Sequence, residues 1–272
     1  MASHPLVALH PLVIFGITGR MGQSLIRALR EGSQFHLHGA IASAGSSRLG
    51  LDAALGGQPS AVMISADAAA ALCPGSVAVD FSRGDAVAAH AQACAQAGVP
   101  LLVGATGFDA AARTELERAA NRIAVLIAPN TSIGVAVMRG LVAQAAVALG
   151  VAYDVEISEA HHHGKRDAPS GTALSLGEAV AQARALPLSE VAAYDRHGAH
   201  SPRAPGSIGF SVVRAGDIVG EHTVMFATAG ERLEITHRAT DRITFARGAL
   251  RAAAWLIGQP AGLYGMQNVL GV

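Results

Sequence analysis

Apolar residues fall into short runs separated by helically spaced stretches through the first half of the chain. Leu12-Val-Ile-Phe15 reads as a buried strand, and the stretch from about Gln23 to Arg30 sets Leu25, Ile26 and Leu29 on one helical face. Phe35 to Ala42, Val77-Ala-Val-Asp-Phe81, Val99 to Val103 and Ile123 to Ala128 repeat the strand pattern. An alanine-rich helix running through Ala97 and another from Phe108 to Ala120 lie between them. Strands separated by helices in this rhythm predict a parallel, doubly wound sheet.

Past residue 131 the pattern changes. A long apolar helix is predicted from roughly Ser132 to Leu149, then a strand from Tyr153 to Glu159, then a helix over Ala173 to Ala185. Three extended runs follow, Ser207 to Arg214, Glu221 to Ala227 and Arg232 to His237, with Ala215-Gly-Asp217 and Ala229-Gly-Glu231 as turns. Consecutive strands without helices predict a second α+β domain on a mostly antiparallel or mixed sheet. A last helix, Asp241 to Ile257, spaces Ile243, Ala246, Leu250 and Ala254 along one face. The expected class is therefore α/β. A Rossmann-type domain spans 1–131 and is completed by 240–272, and a second domain spans 132–239.

Composition narrows the partners. Twenty basic residues balance twenty acidic ones, so no charge excess points to nucleic acid or to an anionic membrane. Much of the apolar content is alanine and aromatics are few, which suits helices packed closely on a sheet better than an aromatic-lined groove. Cys73 and Cys94 fit no metal-ligand or redox spacing and read as reduced thiols in a cytoplasmic protein. The apolar stretch from Pro5 to Ile17 lacks the basic start of a signal peptide. The window from Ile133 to Tyr153 carries Arg139, Gln144 and glycines, which makes a poor membrane span, so a soluble protein is expected.

Gly16-Ile-Thr-Gly-Arg-Met-Gly22 follows the first strand and opens the first helix. Glycines there let backbone approach a pyrophosphate, and the free N–H groups of the helix start attract its charge. The spacing is G-x-x-G-x-x-G rather than the commoner G-x-G-x-x-G, and a glycine turn can be purely structural. Its place at the first turn of an alternating chain favours a dinucleotide. Gly104-Ala-Thr-Gly-Phe108 and Ala128-Pro-Asn-Thr-Ser132 follow the fourth and fifth strands, at the carboxyl ends where ligands collect; each is equally readable as a tight turn. No acid stands about twenty residues past the glycine loop, where NAD enzymes hold the ribose. Ala42-Ser43-Ala44 and then Gly45-Ser-Ser-Arg48 occupy that region, so a 2′-phosphate meets no carboxylate and has Ser43, Arg20 or Arg48 as partners. This slightly favours NADPH over NADH, although Arg48 also reads as a solvated loop residue.

The densest chemistry lies in Glu159-Ala-His-His-His-Gly-Lys-Arg-Asp-Ala-Pro-Ser-Gly-Thr172. His161, His162, His163 and Lys165 can exchange protons near neutral pH once their surroundings shift them. Asp167 to Thr172 reads as a helix start whose N–H groups suit a small carboxylate. Adjacent histidines could instead hold a metal. Neighbours on an extended chain face opposite ways, however, and no cysteine or spaced histidine accompanies them, so no metal is expected. His163 reads as a solvated loop residue, and His237 and Arg242 as sheet or helix-surface residues.

Four segments together resemble one family. Gly-x-x-Gly-Arg-Met-Gly (16–22), Gly-x-Thr-Gly-Phe (104–108), Glu-Ala-His-His-x-x-Lys-x-Asp-Ala-Pro-Ser-Gly-Thr-Ala (159–173) and Val-Arg-Ala-Gly-Asp-Ile-Val-Gly-Glu-His (213–222) are similar to the 4-hydroxy-tetrahydrodipicolinate reductases, also called dihydrodipicolinate reductases. The likeness continues in order through Glu231-Arg-Leu-Glu-Ile-Thr-His237. It implies a Rossmann domain joined by the C-terminal helix and a second domain whose sheet builds a homotetramer. The implied reaction is reduction by NADPH or NADH of a cyclic dicarboxylate imine precursor, with loss of water, in diaminopimelate and lysine biosynthesis. It implies His161 as proton donor or acceptor and Lys165 as proton donor, with His162, Ser170, Gly171 and Thr172 binding substrate. Cofactor contacts carry over to Gly16, Ile17, Thr18, Gly19, Arg20 and Met21, to Ser43, to Gly104, Ala105 and Thr106, and to Ala128, Pro129, Asn130 and Thr131. Family members often have an acid and then a basic residue where this chain has Ala42 and Ser43; that departure touches the ribose contacts, not the reaction. Two other readings remain: a different nicotinamide oxidoreductase of amino-acid metabolism, against which the histidine block argues, and a non-catalytic dinucleotide sensor, which has no need for both His161 and Lys165.

Overall fold

The computed structural model describes residues 9–198 and 200–271, so residues 5–8 of the N-terminal apolar stretch lie outside it. The chain forms two compact units, one ending at residue 132 and resuming over 242–271, the other spanning 133–241.

The first unit alternates β1 (His10–Phe15), α1 (Arg20–Arg30), β2 (Phe35–Ile41), β3 (Ile64–Ser65), α2 (Ala68–Ala71), β4 (Val77–Asp80), α3 (Val87–Ala97), β5 (Leu101–Val103), α4 (Ala110–Ala119) and β6 (Ala124–Ile127). The second unit holds α5 (Ile133–Leu149), β7 (Asp154–His161), α6 (Gly171–Ala183), α7 (Leu188–Val191), β8 (Ala192–Ala193), β9 (Ile208–Arg214), β10 (Gly220–Thr228) and β11 (Glu231–Ala239). The chain then returns to the first unit with α8 (Ile243–Leu256), β12 (Gly262–Tyr264) and α9 (Met266–Leu270).

In the first unit the strands run β12-β6-β5-β4-β1-β2-β3, every pairing parallel. Parallel strands covered on both faces become continuous apolar runs, and β4 and β5 are buried along their whole length. Fully buried Leu12, Ile14, Leu101 and Leu126 each contribute about 1.5–3 kcal/mol to this core. Alanines do the packing between layers: Ala246, Ala249, Ala252 and Ala253 on α8 are completely buried, and the helix lies against α1, β4, β5 and β6. The strand order reverses between β1 and β4. In such sheets ligands bind outside the carboxyl ends at that point.

The sheet of the second unit is mixed, ordered β11-β10-β7-β9-β8. β10 is antiparallel to β7 and β11, while β9 is parallel to β7 and to β8. Val155, Ile157, Ile208, Val224 and Phe226 form its core with Met138 and Val142 of α5 and Leu176 and Val180 of α6. Extended with the short turn that follows it, α5 is the one described helix long and apolar enough to cross a membrane by length and composition. Met138, Val142 and Ala146 on it belong to that core.

β7 continues to His161, two residues past its expected end, because Ala160 and His161 pair with Val213 and Arg214 of β9. β12 and β3 had no counterpart in the periodicity, since runs of two or three residues are too short to show a period.

Candidate active site

Side chains alternate along β7, and Val155 and Ile157 bury the same face that carries Glu159 and His161. The apolar layer thus ends in an ionisable pair. The Glu159 side chain is 1% exposed and takes four donors. His161 Nδ1 lies at 2.6 Å, Arg214 Nη1 and Nη2 each at 2.8 Å, and the Ser170 backbone N–H at 3.0 Å. Burial pushes the carboxyl pKa up, but the bonds from Arg214, His161 and Ser170 outweigh it and hold the group below the usual carboxylate range. An ionised carboxylate only accepts, so His161 Nδ1 bears the hydrogen and Nε2 carries the free lone pair. The Nε2 edge passes close over Gly220, where a Cβ would come within 3.0 Å.

Burial pulls the His161 pKa down; Glu159 opposes this, and the charges of Lys165 and Arg214 add to it. The imidazole is therefore neutral at neutral pH, with Nε2 ready to accept a proton. His222 meets it edge-on, ring centroids 5.1 Å apart. Burial first, then His161, drives the His222 pKa down to about 4. His222 Nε2 lies 3.0 Å from Ser170 Oγ, which also caps α6 by accepting the Ala173 N–H at 3.1 Å.

Lys165 sits one turn further on, its N–H donating to His162 O at 3.1 Å. Its ammonium reaches the Asp167 carboxylate at 2.8 Å, with the side chain 21% exposed. Burial raises the Asp167 pKa, but the Lys165 contact together with the Arg214 charge outweighs it and holds the carboxyl below its ordinary value. The turn after β9 clamps this segment: Ala215 N–H donates to His161 O at 2.9 Å, and the His163 N–H and Nδ1 both donate to Gly216 O. His163 is exposed as expected, but not free. Gly171 is exposed and Thr172 half-buried at the N-terminus of α6. His237 is more than a surface residue: it pairs with His222 across β10 and β11, and burial lowers its pKa. Arg242 stands at the N-cap of α8.

In the first unit the expected cofactor residues gather at the carboxyl ends of β1, β2, β5 and β6. Gly16 has φ +76, and a Cβ there would lie 2.6 Å from Phe81 O. A Cβ on Gly22 would strike the Ile17 backbone, and one on Gly104 the Phe81 ring. The N-cap of α1, Gly19, has no side-chain cap and no acid follows in the first turn, leaving a helix start fit for an anion. Arg20, Ser43, Arg48, Thr106 and Pro129 are exposed, whereas Thr131 is buried with its Oγ1 donating to Phe245 O at 2.7 Å. Among the described residues no group of three or more His, Cys, Asp or Glu is arranged to hold a metal ion.

Glu159, Arg214 and His222 lie within the segments that carry the family resemblance, but nothing in their spacing along the chain joins them. Alternation on β7 already put residues 159 and 161 on one face. The pairing of His161 with Arg214 and of Glu159 with His222 is a matter of strand register, which leaves no local trace.

Residues 10–131 match the family description "Dihydrodipicolinate reductase, N-terminus", and residues 134–270 match its C-terminal counterpart. The chain belongs to the dihydrodipicolinate reductase family. Among its relatives is the 4-hydroxy-tetrahydrodipicolinate reductase of Anaeromyxobacter dehalogenans, 49% identical over 96% of this chain and 97% of that protein. The protein of the same name from Thiobacillus denitrificans is 48% identical over 96% of this chain and 98% of its own length. The dipicolinate-bound dihydrodipicolinate reductase from Paenisporosarcina sp. TG-14 shares the fold, with a TM-score of 0.74 at 23% identity, covering 96% of this chain and 99% of that one. The chain is a nicotinamide-dependent oxidoreductase of this family, with the parallel-plus-mixed sheet architecture expected from its sequence.

Proposed function

We propose that this chain reduces 4-hydroxy-tetrahydrodipicolinate to tetrahydrodipicolinate, with loss of water, in the diaminopimelate branch of lysine biosynthesis. The observation that carries the reading is the buried Glu159–His161–Arg214 cluster beside the Lys165 ammonium and the Ser170-capped start of α6. The glycine cradle at residues 16–22 fits a pyrophosphate, and the dinucleotide contacts are assigned to residues 16–21, Ser43, 104–106 and 128–131. Reduced nicotinamide, when bound, supplies the hydride.

The protein's own part is to hold a dicarboxylate and manage protons. Negative charge that builds on the substrate ring is met by a proton from Lys165 Nζ, and neutral His161 exchanges protons through Nε2. General acid–base help of this kind is worth about 10²–10⁴-fold. The Gly171 and Thr172 N–H groups receive one carboxylate at the positive end of α6, and His162 or Lys165 holds the other. Ser170, buried and engaged with Glu159, Ala173 and His222, shapes that helix start rather than touching substrate. The second unit is assigned to substrate binding and to assembly as a homotetramer, and the first to the dinucleotide. The setting is cytoplasmic, with neither nucleic acid nor membrane as partner. With no carboxylate after β2, NADPH is favoured over NADH.

A coupled assay fed with the product of the preceding synthase tests this. Oxidation of reduced nicotinamide only when the cyclic substrate is present supports the reading. Oxidation driven by another amino-acid precursor, or cofactor binding without turnover, overturns it.

A further inference from the structure

Outside the catalytic cluster, the most completely enclosed acid of the first unit is Asp80, at the end of β4 and fully buried. A buried carboxylate needs partners; those of Asp80 are the turn that follows it and α3, while its main chain anchors a loop assigned to the dinucleotide. Oδ1 accepts the Ser82 N–H at 2.7 Å and Oδ2 accepts from His90 Nδ1 at 2.8 Å. Its main-chain oxygen takes the Gly104 and Ala105 N–H groups at 2.8 and 3.0 Å. The Phe81 N–H donates to Phe15 O at 3.1 Å, immediately before the glycine loop. His90 comes from α3, 16% exposed at its side chain, and its ring stacks on Phe15 with centroids 4.1 Å apart. Ser82 Oγ lies 3.4 Å from the same Nδ1, and the buried Cys94 thiol is pushed up by burial and by the Asp80 charge.

We infer that Asp80 and His90 are a positioning pair that fixes the Phe81–Ser82 turn as the common wall of two dinucleotide loops and thereby sets affinity for the reduced nicotinamide cofactor. The inference rests on the proposed cofactor reading. Neither Gly16 nor Gly104 has room for a Cβ against this turn: one at Gly16 would sit 2.6 Å from Phe81 O and 2.8 Å from Ser82 Cα, and one at Gly104 would overlap the Phe81 ring. At such distances a displacement of a few tenths of an ångström in the turn is passed on to both loops, because a close-packed interior has no slack to absorb it. Asp80 holds the turn by its side chain and the β5 loop by its main chain. His90 holds Asp80: the carboxylate only accepts, so the imidazole must donate from Nδ1, and the stack on Phe15 fixes the ring for that bond. Neither residue reaches the reacting atoms in this scheme; both act through the turn.

The test compares His90→Phe, which keeps a ring on Phe15 but removes the donor, with His90→Asn, whose amide can donate from near the Nδ1 position. NADPH binding is followed by its fluorescence, alongside kcat, the KM for the cyclic substrate, and the urea midpoint. The Phe variant is expected to bind NADPH about tenfold or more weakly, the scale of one lost charge-assisted hydrogen bond. Its kcat at saturating cofactor and its KM for the cyclic substrate stay within about twofold. The Asn variant recovers most of the affinity. If the Phe variant binds NADPH as the wild type does and differs only in its urea midpoint, the pair is merely structural and the inference falls. Should His90→Phe fail to fold, His90→Gln, which carries its amide away from the Nδ1 position, takes its place under the same criteria. Failure of the wild-type protein to bind NADPH or NADH overturns the cofactor reading beneath the inference, a result distinct from equal binding by wild type and variant.

Discussion

Replacing Glu159 by glutamine removes one charge and, with it, half of an acceptor set. Oε2 takes His161 Nδ1 and Arg214 Nη1, and Oε1 takes Arg214 Nη2 and the Ser170 N–H. An amide has one oxygen, so whichever way the side chain turns, two donors face an NH₂ that cannot accept. With the amide nitrogen toward Ser170, a buried backbone N–H and an arginine nitrogen lose their acceptor. With the nitrogen toward His161, the imidazole must shift its proton to Nε2 to avoid a donor–donor clash, and Nε2 then no longer accepts. Each stranded donor costs about 1–3 kcal/mol, so Glu159→Gln is expected to lower stability by about 2–5 kcal/mol. Turnover at saturating substrate should fall about 10²–10⁴-fold. Urea unfolding and steady-state turnover of the same preparation measure the two effects. A variant within about 0.5 kcal/mol of wild type in stability and within about threefold in turnover would show that Glu159 neither orients His161 nor answers Arg214.

Three further outcomes are expected. His222 has a folded pKa of about 4 against an ordinary value of 6.5, so the unfolded chain takes up the proton first. Its stabilisation is complete above about pH 6.5 and is lost as pH falls toward 4, roughly 3 kcal/mol in all, with depressed Glu159 adding to the loss at lower pH. Urea midpoints at about pH 7.5 and 4.5 should therefore converge in His222→Gln relative to wild type, and equal acid losses in both would refute the assignment. Gly16→Ala forces φ +76 on a residue whose Cβ meets Phe81 O at 2.6 Å; it should cost about 1–3 kcal/mol or more in thermal unfolding and weaken cofactor binding. Ser43→Asp puts a carboxylate after β2 where none stands, so the NADPH dissociation constant should rise about tenfold while that for NADH stays level, read by fluorescence titration.

The parallel sheet was legible because strands buried on both faces, such as β5 and β4 as far as Val79, are apolar runs set off by helical spacing. The second unit was less so. Three extended runs in succession predict a mostly antiparallel or mixed sheet, and it is mixed because α6 and the chain after it carry β9 to the far side of β7, where it lies parallel. His161 and Lys165 stand out in the sequence by residue density and by the family resemblance. Arg214 and His222 join them through the register of β7 with β9 and β10, decided by core packing tens of residues away. Likewise, nothing local marks Asp80 as a buried acid: Val77-Ala-Val-Asp80 reads simply as a strand, and its partner is on the next helix.

Lys165→Ala bears most directly on the claim that an ammonium and a neutral imidazole complete the reduction. Its ion pair with Asp167 lies near the surface, so the fold should survive. Measured together, NADPH binding and oxidation of NADPH by the cyclic substrate should separate: binding within about twofold of wild type, turnover down by about 10²–10⁴-fold. Full turnover by this variant would contradict the assigned chemistry.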